Sequence, residues 1–243
     1  MMQRIVTAET LDGMAANDPA AMRSRRDLQR VHRMMGTRTI LLRALGDMLR
    51  FRSAATPLRI LELGAGDGSL MLGVAEAQAP AWHKVEITLL DRQSLVTAAT
   101  VNRYARHGWT VKQSVMDVMD WAAATDAPGR RLERWDVIVA NLFLHHFDSA
   151  ALRSLMIAMA ARCNRLLACE PRRARLALAG SYLIGAIGAN AVTREDAVLS
   201  VRAGFRDHEL TRMWPSERYG WRTQEYSAGL FSHCFRAERI GTP

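Results

Sequence analysis

Three observations in the sequence predict an α/β fold built on a doubly wound, mostly parallel sheet. From Pro57 onward, apolar runs of strand length alternate with stretches of helical length, the pattern of strands joined by crossover helices. Residues 59–69 read Arg-Ile-Leu-Glu-Leu-Gly-Ala-Gly-Asp-Gly-Ser, an apolar strand that turns sharply through glycines 64, 66 and 68 into a helix. A second apolar run, Val85–Asp91, also ends in a carboxylate, which is where such folds contact a nucleotide ribose.

The elements follow in order. Before the sheet, Leu28, Val31, Met34 and Met35, then Ile40, Leu41, Leu45, Met48 and Leu49, recur every three or four residues. That spacing predicts two helices broken at Gly36-Thr37. The helix after the glycine turn is expected to end near Ala79-Pro80, and the next to run over residues 93–106 and stop at Gly108. Trp109–Val115 reads as a third strand, residues 125–134 with Pro128-Gly129 as a surface loop, and Trp135–Asn141 as a fourth strand leading into Leu-Phe-Leu-His-His-Phe at 142–147. Asp148 can cap a helix through Arg162, with strand five at 164–169. The segment 170–204 is long for a simple connection. Its most apolar part, 176–192, reads as a buried helix or lid, and Thr193 with Asp196 carries a helix-capping signature. The tail from Trp214 to Phe235 predicts a final pair of strands.

The first turn limits the ligand. A P-loop needs Gly-Lys-Ser/Thr after its spacer, and no lysine is present. The dinucleotide fingerprint needs a glycine at 69, which is Ser. Glu62 and Asp67 flank the turn, and carboxylates repel a pyrophosphate but attract a cation. S-adenosylmethionine (SAM), with a sulfonium, an ammonium and no phosphate, fits this spacing better than NAD. Backbone at Gly64, Ala65 and Gly66 allows close approach of a cofactor.

Taken with Asp91, Asp117 and the run from Asn141 to Phe147, these residues resemble the class I SAM-dependent methyltransferases, in particular their small-molecule branch. The resemblance covers residues 58–170 well and the rest more loosely. It implies a seven-stranded Rossmann-like sheet with an antiparallel hairpin at its edge, an N-terminal helical cap over residues 1–56, a SAM-binding domain over 57–243, and an acceptor-pocket insertion at 170–204. SAM is the implied cofactor and S-adenosylhomocysteine (SAH) its product. Glu62, Gly64, Ala65, Gly66, Gly68, Asp91, Arg92, Asp117, Val118, Asn141 and Leu142 are the expected cofactor contacts, with Asp120 a rival to Asp117 for the adenine. His32 or Arg33 could stand near SAM, although a plain covering helix is the simpler reading of each.

Methyl transfer from a sulfonium needs alignment, exclusion of water and, for a hydroxyl acceptor, removal of a proton. His145 and His146, on the loop after strand four, and then His233 are the expected general bases, with His208 behind them. The fourth strand lacks the acid that would hold a divalent ion in catechol-type relatives, so no metal is expected. The Asn/Asp-Pro-Pro-aromatic signature of base-amino methylation is absent after strand four. A hydrophobic or phenolic small molecule, methylated at oxygen in secondary metabolism, is the expected acceptor, with the apolar 176–192 segment and Trp214 and Trp221 as its pocket. A quinone, lipid or RNA methyltransferase and a non-catalytic SAM-binding protein are the alternatives.

Composition narrows the class further. The chain has 243 residues, 49% of them hydrophobic, enough for a sizeable core. The net charge of +9 comes almost wholly from arginine, with clusters at 23/25/26, 130/131/134 and 172/173/175. They lack interleaved aromatics, which argues against a nucleic-acid partner. Three unpaired cysteines and no leader-like N-terminus point to a reducing, cytoplasmic setting without a transmembrane segment.

Overall fold

The computed structural model describes residues 2–52, 56–78, 82, 84–124 and 132–241. The Ala79-Pro80 helix end, the Pro128-Gly129 loop, and Arg130 and Arg131 lie outside the described residues. The elements in chain order are α1 (Thr10–Gly13), α2 (Pro19–Met35), α3 (Thr37–Met48), β1 (Leu58–Leu63), α4 (Ser69–Gln78), β2 (Val85–Asp91), α5 (Ala98–Arg106), β3 (Trp109–Val115), α6 (Val118–Ala123) and β4 (Trp135–Asn141). After a 3₁₀ turn at Leu144–His146 come α7 (Ser149–Arg162), β5 (Cys163–Pro171), α8 (Arg175–Leu183), α9 (Ala191–Ala203), α10 (Glu209–Met213), α11 (Ser216–Tyr219), β6 (Trp221–Ala228) and β7 (Ser232–Arg239).

The seven strands form one sheet in the order β3-β2-β1-β4-β5-β7-β6. The first five are parallel, and β7 is antiparallel to both its neighbours, so the expected edge hairpin is present. Strand order reverses between β1 and β4, and the crevice at their carboxyl ends is where such sheets bind ligands.

Side-chain alternation along each strand feeds two cores. Leu61, Leu63, Ile138, Ala140, Leu166 and Ala168 pack with α6, α7 and α10 on one face. Ile60, Val137, Val139, Leu167 and Cys169 pack with α3 and α4 on the other. Trp214 and Trp221 were expected at an acceptor pocket. They lie instead in the first core, 5.0 Å apart edge to face, because ring area this large is most stable fully buried. Cys163, Cys169 and Cys234 are free and buried.

Local signals explain the helix ends. Asp18 caps α2 by accepting from Ala20 N and Ala21 N, and Pro19 occupies its first turn. Gly36, at φ 68°, closes α2 and opens α3. Helix α5 begins at Ala98, later than the expected residue 93, because the Thr97 side chain caps Thr100 N. The cap of α9 is Asn190, whose side chain accepts from Thr193 N; Asp196 turns outward from the helix and receives Thr10 N and Leu11 N at 2.8 and 3.0 Å. The expected buried helix over 176–192 is only half right. Ala177 and Ser181 of α8 are buried, but Leu176, Tyr182 and Leu183 are exposed. No helix of the described residues is long and apolar enough to cross a membrane.

Candidate active site

A cavity of about 430 Å³ opens at the carboxyl ends of β1 to β4. Its floor is the turn after β1. Gly64 and Gly66 have φ 66° and 56°, a left-handed backbone that glycine adopts without strain. A β-carbon at Gly64 would overlap the Phe143 ring, whereas one at Gly66 would project into open space. Asp91 holds this turn from β2: its Oδ2 accepts from Gly66 N and its Oδ1 from Gln93 N, both at 2.9 Å. Gly68 does not reach the cavity. Any side chain there would strike Leu89, and its carbonyl accepts from Tyr104, so it serves the packing of α4.

Polar groups on this floor lack protein partners. Glu62 is 2% exposed, and its Oε2 has no hydrogen bond among the described residues. Burial, reinforced by the negative charges of Asp67 and Asp91, pushes its pKa well above the usual carboxylate range. Asn141 Oδ1, at the end of β4, and His32 Nε2, from α2, are also buried and unpartnered. Burial holds His32 down at about 4, against the opposing pull of Asp67, so the ring is neutral near pH 7. Buried polar atoms are costly when unsatisfied, and three of them around one cavity mark a ligand site. Arg92, Met116, Asp117 and Val118 complete this end; Asp117 also caps α6 through Met119 N. Arg33 and Asp120 are not among the lining residues.

The second wall is the turn after β4. Leu142 adopts φ 47°, unusual for a residue with a side chain, and its N–H is held by Cys169 O at 2.9 Å. Beyond it, one fully buried carboxylate organises the chain. Glu170 accepts from Phe143 N, Leu144 N and His145 N at 2.9–3.3 Å, and from His145 Nδ1 at 2.8 Å. His145 and His146 are thereby fixed on the cavity wall with ring centroids 4.2 Å apart.

Residues 2–14 form a strap across this wall. Arg4 donates to the carbonyl oxygens of Ala203, Phe147 and His145 and stacks 4.6 Å over Phe205. Glu9 reaches His145 Nε2 at 3.2 Å and also takes the Ser200 hydroxyl. Asp12 meets His146 Nδ1 at 3.0 Å and Arg92 at 3.4 Å. Burial alone would lower the pKa of His145. Hydrogen bonds and charge from Glu170 and Glu9 outweigh it and hold the pKa up at about 9, so this imidazole carries a proton at pH 7.

Other expected site residues lie elsewhere. His233 is buried on β7, where it bonds Glu225 at 2.8 Å, and it does not line the cavity. Glu225 in turn caps Leu210 N and Thr211 N, so this pair anchors α10 to the sheet. His208 precedes α10 and is likewise not a lining residue. Of the described residues in 170–204, only Ser200 lines the cavity. Sequence reasoning missed Glu9, Asp12 and Glu170 as site residues. Glu170 alone left a signal, an acid closing an apolar strand as Glu62 and Asp91 do.

Comparison with known proteins places this geometry. The plantazolicin methyltransferase BpumL, solved in complex with SAH, superposes with a TM-score of 0.60 at 12% identity, over 92% of this chain and 91% of that one. A putative O-methyltransferase from Nostoc punctiforme gives 0.57 at 12% identity, over 98% and 64%. The pyocyanin biosynthetic protein PhzM gives 0.56 at 14%, over 92% and 60%. At such identities the likeness concerns the fold. No curated protein matches the chain in sequence. The family profile described as "Methyltransferase domain", however, matches residues 31–230, most of the chain. The protein belongs to the methyltransferase domain family, and its sheet is that of a class I methyltransferase.

Proposed function

We propose that the protein transfers a methyl group from SAM to the oxygen of a small hydrophobic or phenolic acceptor. The observation that carries this reading is Glu62, a buried carboxyl with an unsatisfied oxygen at the floor of a cavity whose glycine turn presents no basic side chain. A cationic nucleoside relieves that burial cost; a phosphorylated one aggravates it. The donor set fits SAM. Glu62 and Asn141 would hold its amino-acid end, Asp91 its ribose, and Asp117 with Val118 its adenine, beside the backbone of Gly64, Ala65 and Gly66. When bound, SAM supplies an activated methyl whose sulfur leaves without further help.

The chain's own residues supply alignment and dryness. Apolar Leu11, Leu28, Phe143 and Phe147 line the cavity, which suits a flat hydrophobic acceptor. Residues 1–56 act as the cap, with the strap closing over the histidine wall, and 57–243 as the cofactor-binding domain. His145 and His146 border the acceptor, while His233 has no part in the reaction. The SAH bound in the plantazolicin enzyme supports the cofactor assignment by analogy of fold.

Calorimetry with SAM, SAH, ATP and NADH, followed by labelled SAM with a panel of phenols, tests the proposal. SAM and SAH should bind, and Glu62→Gln should weaken both, because both carry the ammonium that Glu62 would hold. Uptake of NADH or ATP with no heat from SAM or SAH would overturn it.

A further inference from the structure

We infer that Glu9, His145 and His146 form a site for one divalent transition-metal ion of the zinc type, on the cavity wall where the strap crosses it. One ligand atom from each residue lies within 4.8 Å of the other two. His145 Nε2 and the Glu9 carboxylate are 3.2 Å apart. Neighbouring ligands of a tetrahedral zinc, at metal–ligand distances near 2.0–2.1 Å, stand about 3.3 Å apart.

The surroundings of the two rings are those of metal ligands. A histidine that binds a metal commonly donates its other ring nitrogen to a carboxylate, which fixes the ring and raises its basicity. Both rings here have that partner: Glu170 at 2.8 Å from His145 Nδ1 and Asp12 at 3.0 Å from His146 Nδ1. In each case Nε2 is left as the ligand atom. Ser200 steadies Glu9 in the same way.

Charge points the same way. Three carboxylates, Glu9, Asp12 and Glu170, converge on two imidazoles. Arg92 engages one of them, Asp12, and Arg4 spends its guanidinium on backbone carbonyls. A divalent cation beside Glu9 would take the place of the proton that His145 holds between Glu170 and Glu9. Two imidazoles and one carboxylate suit zinc and its neighbours in the first transition row; magnesium and calcium prefer all-oxygen sites. Three protein ligands also leave a position for water or for an acceptor oxygen.

The expectation that no metal binds rested on the missing acid at the end of β4. These donors come instead from the strap and from the turn after β4. The inference deepens the methyl-transfer reading and rests on it for the acceptor's place: a hydroxyl ligated here would release its proton to water more readily, and its oxygen would then take the methyl group as the S–CH₃ bond breaks and SAH leaves as the neutral thioether.

The test uses the full chain, freed of metal by a chelator and titrated with Co²⁺ and then Zn²⁺ alone, without SAM or acceptor. One ion per chain should bind, with the visible absorption of low-coordinate cobalt and no thiolate charge-transfer band. Asp12→Asn should weaken binding about 10–100-fold and Glu9→Gln at least as much. Glu9 lies outside the sheet, so Glu9→Gln should keep the wild-type circular dichroism. A folded wild-type chain that binds neither ion, or binds with equal affinity in wild type, Glu9→Gln and His146→Ala, overturns the site. Neither readout involves methyl transfer, so a failed phenol panel beside tight cobalt binding would count against the reaction and leave the metal site standing.

Discussion

Replacing Glu170 tests whether one carboxylate holds the wall of the site. Its side chain is fully buried and accepts from three backbone N–H groups and one imidazole. Glu170→Ala strands all four donors. A buried donor left without a partner costs about 1–3 kcal/mol. Phe143 N is only partly buried, and water entering the new space can satisfy some of the others, so the low end applies. The expected loss is about 3–5 kcal/mol, a large part of a typical domain stability of about 5–15 kcal/mol. Glu170→Gln keeps a carbonyl for Phe143 N and Leu144 N but turns an NH₂ toward His145. It should cost about 2 kcal/mol, between wild type and alanine. Urea unfolding with linear extrapolation measures both, and an unchanged slope would show that the unfolded state is not responsible. An alanine variant within about 1 kcal/mol of wild type, at equal slope, would refute the reasoning.

Three further outcomes follow from the same geometry. Asp91→Ala should weaken SAM binding by about 1–3 kcal/mol in calorimetry, and unchanged affinity in the folded variant would remove Asp91 from the ribose. Gly64→Ala combines a left-handed backbone with overlap on Phe143 and should cost about 2–4 kcal/mol, so a melting temperature within about 2 °C of wild type would contradict it. His32 binds its proton less tightly folded, at about 4, than at its ordinary 6.5. The native state therefore loses stability as pH falls from 6.5 toward 4, by up to about 3 kcal/mol. His32→Gln should flatten that part of the stability–pH curve, and an identical curve would show that the ring is not held neutral.

The sheet was legible because each strand carries its own signal. Val85–Asp91, Trp109–Val115 and Trp135–Asn141 fall within the bounds that their apolar runs and flanking breakers suggest. Acids that close such runs, Glu62 and Asp91, could be singled out for the same reason. The strap could not. Residues 2–14 hold one four-residue helix and no hydrophobic period, and their partners are far along the chain, as in Arg4 to Ala203 or Thr10 to Asp196. Contacts at that separation leave no local trace. Histidine and tryptophan misled in the opposite direction. His233, Trp214 and Trp221 look like chemistry in a sequence, yet His233 bonds Glu225 through Nε2 and the two indoles pack in the core, away from the cavity.

Three acids of the sheet differ in what satisfies them. Glu62, Asp91 and Glu170 occupy like positions, at or near the carboxyl ends of β1, β2 and β5. Glu170 spends its charge on four donors of the same chain, and Asp91 engages two. Glu62 Oε2 has none among the described residues, although the side chain is nearly as buried as Glu170. A folded chain that bears the cost of such a group without an internal partner is built for an external one. The partner must supply hydrogen-bond donors or positive charge, since Asp67 and Asp91 already surround the carboxyl with negative charge. The ammonium and sulfonium of SAM supply both, and a phosphate supplies neither. On the proposed reading, selectivity for the cofactor resides less in the glycine turn, which many nucleotide folds share, than in the unsatisfied acid beneath it.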